Sequence, residues 1–287
     1  MRHPEPLQTL LSLSLAATLL FVAALGVTRL PCWALPLAVV PVAWPIWAYQ
    51  AGNALFTRRL WLSGVMQSHG RIRRWFARGW LIQSLAAVSA LALTALLLPM
   101  AALLRPEHWA VLALDLLLLS LAVAPVQRRL APEVQGDKVG LIARRWPLML
   151  LNLILLAALF LAVDFAIGGA ADSRELAWNQ VAENAFTQTA AQVHCDAAGW
   201  LIGALASVQA LSWHASQLII PSLPDPVLKL TAWTLFLAQA GLFAWLFTSL
   251  LLGTLTLVEE RHALAAARTS CSDAGAGASK TATGTVS

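Results

Sequence analysis

The chain has 287 residues, of which 59% are apolar and only 11% are charged, and its mean hydropathy is +0.70. A soluble domain carries roughly 25% charged residues, so these figures exclude an ordinary water-soluble protein and a disordered one and leave a polytopic membrane protein. The net charge of +5 arises from 19 basic against 14 acidic residues; the basic ones cluster in short loops between apolar runs, which reads as topology control and anionic-lipid contact and not as nucleic-acid binding.

A helical span needs ~20 apolar residues, and six such runs are present. The first covers 7–28. It is longer than the 7–15 residues of a signal-peptide core and no A-x-A site follows it, so it reads as a retained span. After the turn Arg29-Leu30-Pro31 the second run covers 33–50. Pro36, Pro41 and Pro45 lie in it; each removes a backbone donor, which predicts a kinked or partly unwound helix. The first basic loop, 51–79, contains Arg71, Arg73, Arg74, Trp75 and Arg78. Arginines mixed with aromatics suit a segment lying on a lipid surface.

The third and fourth spans are expected at about 80–104 and 108–126, joined by the turn Arg105-Pro106-Glu107. A second basic loop, 127–146, precedes the fifth span at 147–168. Residues 1–168 thus form a five-span region. Residues 169–228 break the pattern and predict a helical insertion outside the membrane core. Asp172 and Glu175 resemble a capping box for an amphipathic helix over 173–195. The next run, 199–220, is nearly long enough to span, but Ser207, Gln209, Ser212, His214, Ser216 and Gln217 make it interfacial or re-entrant. The sixth span is expected at 229–258. The remainder, 259–287, rich in Ser, Ala, Gly and Thr beyond Thr269, predicts a disordered tail.

With 199–220 outside the core, 15 Lys and Arg fall on the side of the two basic loops and 4 on the other. The positive-inside rule then places both termini in the cytoplasm of a cell with this protein in its inner membrane.

Candidate chemistry begins with charges inside spans, which cost at least ~2.5–3.5 kcal/mol at mid-membrane. Asp115 and Asp164 qualify, at depths of roughly 10 and 7 Å from the outer ends of two antiparallel spans. Carboxylates sharing one layer, with no Lys or Arg inside any span, would form a proton or cation site. Gln83, Asn152 and Gln239 are neutral and suit interhelical hydrogen bonds. Gly199 and Gly203 permit close helix approach. Cys32 and Cys195 are both expected on the outer side, where a disulfide is permitted. His108, His194, His214 and Asp196 are expected on that side too. Their spacing does not suit a metal, and they are the one place for a membrane-embedded enzyme's ionisable groups. Motifs of zinc proteases, P-loops, dinucleotide sites and nucleophile elbows are absent from the sequence.

The sequence therefore predicts an all-α integral membrane protein of six spans, with an outer helical insertion between the fifth and sixth. Its expected role is non-enzymatic, as a subunit or scaffold of a membrane assembly. The alternative is a small-solute or ion transporter built on Asp115 and Asp164. The expected partners are anionic lipid headgroups and other membrane proteins. No cofactor or metal is expected.

Overall fold

The computed structural model describes residues 6–65, 79–134, 139–167, 173–223 and 225–281. The regular secondary structure over those residues is all helical. α1 (Pro6–Arg29) is followed by a short 3-10 turn, Cys32–Ala34, and α2 (Leu35–Val65). Next come α3 (Trp80–Ala102) and α4 (Pro106–Leu130). A short α5 (Val139–Ala143) runs through a π-helical turn, Arg144–Leu148, into α6 (Met149–Ile167). α7 (Trp178–Ala190), α8 (Asp196–Ser222) and α9 (Pro226–Thr281) complete the chain. Six segments are long and apolar enough to cross a membrane: Leu7–Arg29, Cys32–Arg58, Trp80–Ala102, Pro106–Leu130, Trp146–Asp164 and Pro226–Glu259. The protein is an all-α polytopic membrane protein.

These helices are apolar on every side, and the packing shows why. Leu13, Leu20, Ile46, Leu97, Leu112 and Phe247 are fully buried in one continuous core, whereas Leu85, Leu121 and Ile154 of the same spans are exposed. In water that second set would be a liability; in hydrocarbon it is the lipid-facing surface. α1 packs against α2, α3, α4 and α9, and α9 also packs along α2 and α6. The closest of these approaches is at Gly253 of α9. A Cβ there would overlap the backbone carbonyl of Pro45 in α2, so only glycine lets the two backbones meet.

Several boundaries differ from the sequence reading. α2 does not stop at residue 50 but continues to Val65, so Arg58 lies on helix and not in a loop. Apolarity falls where the membrane ends, while backbone hydrogen bonding continues until a breaker intervenes. Of the kinked or partly unwound helix expected here, the unwound form is absent: α2 is continuous through Pro41 and Pro45, and Pro36 falls in its first turn, where the missing N–H has no helical partner to lose. α4 likewise extends to Leu130, which puts Arg128 and Arg129 in its last turn, where cations suit the negative end of the helix dipole. Gly79, at φ 64°, supplies the left-handed turn into α3.

The amphipathic helix of the insertion begins at Trp178 and not at 173. Its start is marked by Gln180, whose Oε1 accepts from the Ala177 N–H at 3.3 Å, one half of a capping box. Asp172, expected to cap it, lies outside the described residues, as do Arg71, Arg73, Arg74, Trp75 and Arg78. The final helix runs to Thr281, through the stretch expected to be disordered. The Ala-rich segment 263–267 favours that continuation.

Candidate functional site

α7 and α8 form an antiparallel hairpin seated on one end of the bundle. Gly203 of α8 makes the seat: a Cβ there would lie 2.9 Å from the Phe186 ring, and one at Gly199 would lie 3.1 Å from the Ala190 carbonyl. The Gly-x-x-x-Gly spacing thus serves the hairpin. Ser207 adds a hydrogen bond to the Ala182 carbonyl at 2.8 Å. The hairpin is fastened to the bundle by a disulfide between Cys32, in the turn after α1, and Cys195, just before α8; their Cα atoms are 5.0 Å apart. The His194 N–H donates to the Thr28 carbonyl at 3.2 Å beside it. Cys195 is buried and Cys32 is exposed. The start of α8 is therefore fixed to the bundle end.

Below the hairpin lies a cavity of about 500 Å³, walled by the ends of α3, α4 and α6, by α7, and by the middles of α8 and α9. Its walls are mostly apolar, with Leu96, Met100, Leu161 and Leu242 among them. Its floor is aromatic. His108 stacks on Phe160 with ring centroids 4.9 Å apart, and Phe160 meets Phe243 at 5.3 Å. A pocket of this size, apolar with a few convergent polar groups, is the usual form of a small-ligand site.

Ser173, Asn184, Gln209 and Gln239 are polar members of the lining, and its charged group is a three-residue cluster. Asp164 Oδ1 accepts from Arg105 Nη2 at 2.7 Å and lies 3.0 Å from His108 Nε2. Arg105 caps α4, and His108 is one turn further on; Asp164 is in the last turn of the antiparallel α6. The sequence reading sought a partner inside the spans and missed the guanidinium at the turn between them. The signal was present: an arginine at the mouth of one span faces the last turn of its antiparallel neighbour.

Asp115 occupies a different layer, which corrects the expectation that the two carboxylates share one. It is fully buried, nine residues into α4, whereas Asp164 is three residues from the end of α6. Asn152 Nδ2 donates to Asp115 Oδ2 at 3.2 Å and to Thr248 Oγ1 at 2.9 Å, and the Thr248 hydroxyl donates to the Ala244 carbonyl. This network joins α4, α6 and α9. Asp115 Oδ1 and Asn152 Oδ1 are buried without a hydrogen-bond partner among the described residues. The expected heights failed because depth was counted from where apolarity ends, and the two helices end at different levels.

The histidines do not converge. His108 belongs to Asp164, His194 reaches the Thr28 carbonyl, and His214 Nδ1 lies 2.9 Å from Ser173 Oγ. Ser173 Oγ also lies 3.0 Å from Gln217 Oε1, so its hydroxyl is shared between the imidazole and the amide oxygen. Among the described residues no carboxylate is hydrogen-bonded to that pair. Among the described residues there is no group of three or more metal-capable side chains. The Gln83 backbone carbonyl accepts from Trp47 Nε1 at 3.2 Å, and Gln239 lines the cavity.

No known protein family, curated protein or solved structure matches the chain.

Proposed function

We propose that this membrane protein is non-enzymatic and works by binding, as a subunit or scaffold that holds an amphiphilic ligand in the cavity beneath the disulfide-fastened hairpin. One observation carries the reading: the cavity has apolar walls and a single charged cluster at its edge, the profile of a ligand with a hydrocarbon part and a polar end. Among the described residues, the Ser173–His214 pair shares its hydroxyl with Gln217 and has no carboxylate hydrogen-bonded to its imidazole. The orientation that fits has the basic loops and both termini in the cytoplasm and the hairpin outside an inner membrane. The 15-to-4 distribution of basic residues and a disulfide on the opposite side support it, since oxidising compartments retain such bonds.

The test is native mass spectrometry of the chain released from membranes in mild detergent. One amphiphile should remain bound. Leu205→Trp, which fills the cavity from α8, should release it, and Gln209→Trp should do so independently. Retention unchanged in both variants overturns the reading.

Transport is the second reading, and Asp115 is what favours it. A fully buried carboxylate, hydrogen-bonded to Asn152 and with one oxygen unpartnered among the described residues, is the kind of intramembrane group that handles protons or cations. Asp164 has no part in that site, being held by Arg105 and His108. Proteoliposomes under an imposed proton or sodium gradient should show flux that Asp115→Asn abolishes; equal flux in both proteins rejects Asp115 as a coupling residue.

A further inference from the structure

We infer that the cavity selects a phospholipid whose head carries both a phosphate and a primary amine. This rests on the binding reading above and names its ligand class. The argument starts from the incomplete use of the ion pair. Among the described residues, Arg105 commits only Nη2, and Asp164 accepts only at Oδ1. Both side chains line the cavity and remain partly exposed, at 35% and 23%. The remaining guanidinium N–H groups and the second carboxylate oxygen are therefore a donor set and an acceptor held side by side.

Complementarity then restricts the head. A purely anionic head that reaches Arg105 also meets the Asp164 carboxylate. A purely cationic one that reaches Asp164 meets the Arg105 guanidinium. A zwitterion satisfies both, its phosphate on Arg105 and its ammonium on Asp164 Oδ2. Charge-assisted hydrogen bonds of this kind are the stronger ones. A quaternary ammonium has no N–H to donate, so a primary amine fits better than a choline.

Height supports the same assignment. Arg105 caps one span, and Asp164 is the last residue of another apolar span, so the cluster lies where hydrocarbon gives way to headgroups. An acyl chain lying along Leu96, Met100, Leu161 and Leu242 places its head at this level. The aromatic floor of Phe160 and Phe243 stops the ligand from descending toward Asp115.

The experiment reconstitutes the full chain in nanodiscs of equimolar phosphatidylethanolamine, phosphatidylglycerol and phosphatidylcholine, then identifies the lipid retained in native mass spectrometry. Phosphatidylethanolamine should exceed each of the others by about tenfold, the worth of one charge-assisted hydrogen bond. Asp164→Asn should remove the discrimination against phosphatidylglycerol. Arg105→Gln should reduce phosphatidylethanolamine retention, and Arg105→Lys, which keeps the charge, should restore part of it. Leu205→Trp should retain none of the three. Phosphatidylglycerol retained as well as phosphatidylethanolamine by the unaltered chain overturns the zwitterion assignment and leaves the binding reading standing. Lipid retained undiminished in both Leu205→Trp and Gln209→Trp overturns both.

Discussion

The two carboxylates inside the spans lie in layers of opposite character. Asp164, at the rim, is partly exposed and is met by a guanidinium and an imidazole, both with spare hydrogen-bonding capacity. Asp115, in the deep layer, is fully buried and is met only by a neutral amide that also serves Thr248. The contrast teaches that an acidic residue in an apolar helix does not define a site; its depth and the charge of its partner do. At the rim, water and ligands can exchange with the pair. In the deep layer every change is made against hydrocarbon and packed side chains.

The comparison can be broken first at the rim's fastening. The bridged cysteines are 163 residues apart, and for a loop of that size the chain-entropy model assigns ~5 kcal/mol. Replacing both cysteines with serine should lower the unfolding temperature markedly. Hydrogen exchange should accelerate in α7 and α8 well before the layer around Asp115 responds. Equal acceleration in both layers would show that the hairpin and the deep network unfold as one unit.

A smaller effect is expected deeper in the bundle. Asn152→Leu removes the donor to Asp115 and to Thr248 and should cost about 1–3 kcal/mol, the range for stranding a buried polar group. Adding Asp115→Leu should recover part of that loss, because two apolar side chains replace a half-satisfied network. A double variant that is less stable than the single one would contradict the assigned hydrogen bond.

The smallest effect belongs to the ion pair itself. Arg105→Gln should cost no more than about 1 kcal/mol, since the pair is partly solvated and screened. Its contribution should shrink as salt is raised from low to molar concentration, whereas the Asn152→Leu penalty should not change. A salt-insensitive Arg105 would place the cluster in a drier environment than its exposure implies.

Much of this architecture is legible in the sequence. Six apolar runs locate six spanning helices because hydrocarbon leaves a backbone few alternatives to helix. The prolines and polar residues after 198 separate α8 from those spans, and Cys32 and Cys195 face each other once the basic loops fix the topology. What composition does not reveal is where hydrogen bonding outlasts apolarity, as in α2 beyond residue 50 and α9 beyond residue 268. It also does not reveal relative height. Arg105 lies in a turn by composition, yet its guanidinium reaches Asp164 across 59 residues of sequence. The cavity is a property of how α8 lies over the bundle, and no single segment carries its signature.

The disulfide also orders events in time. Cys32 follows the first span, but Cys195 emerges only after four more spans and the whole of α7. At ~5–20 residues synthesised per second, Cys32 waits roughly 8–30 s with its thiol unpaired. Late in that interval, once α6 is made, the nascent chain has its cavity walls from α3, α4 and α6 but no α8 to cover them. Closure of the ring is therefore a checkpoint on membrane insertion: a chain that has threaded one of the intervening spans wrongly delivers its second cysteine to the opposite face, and the bond cannot form.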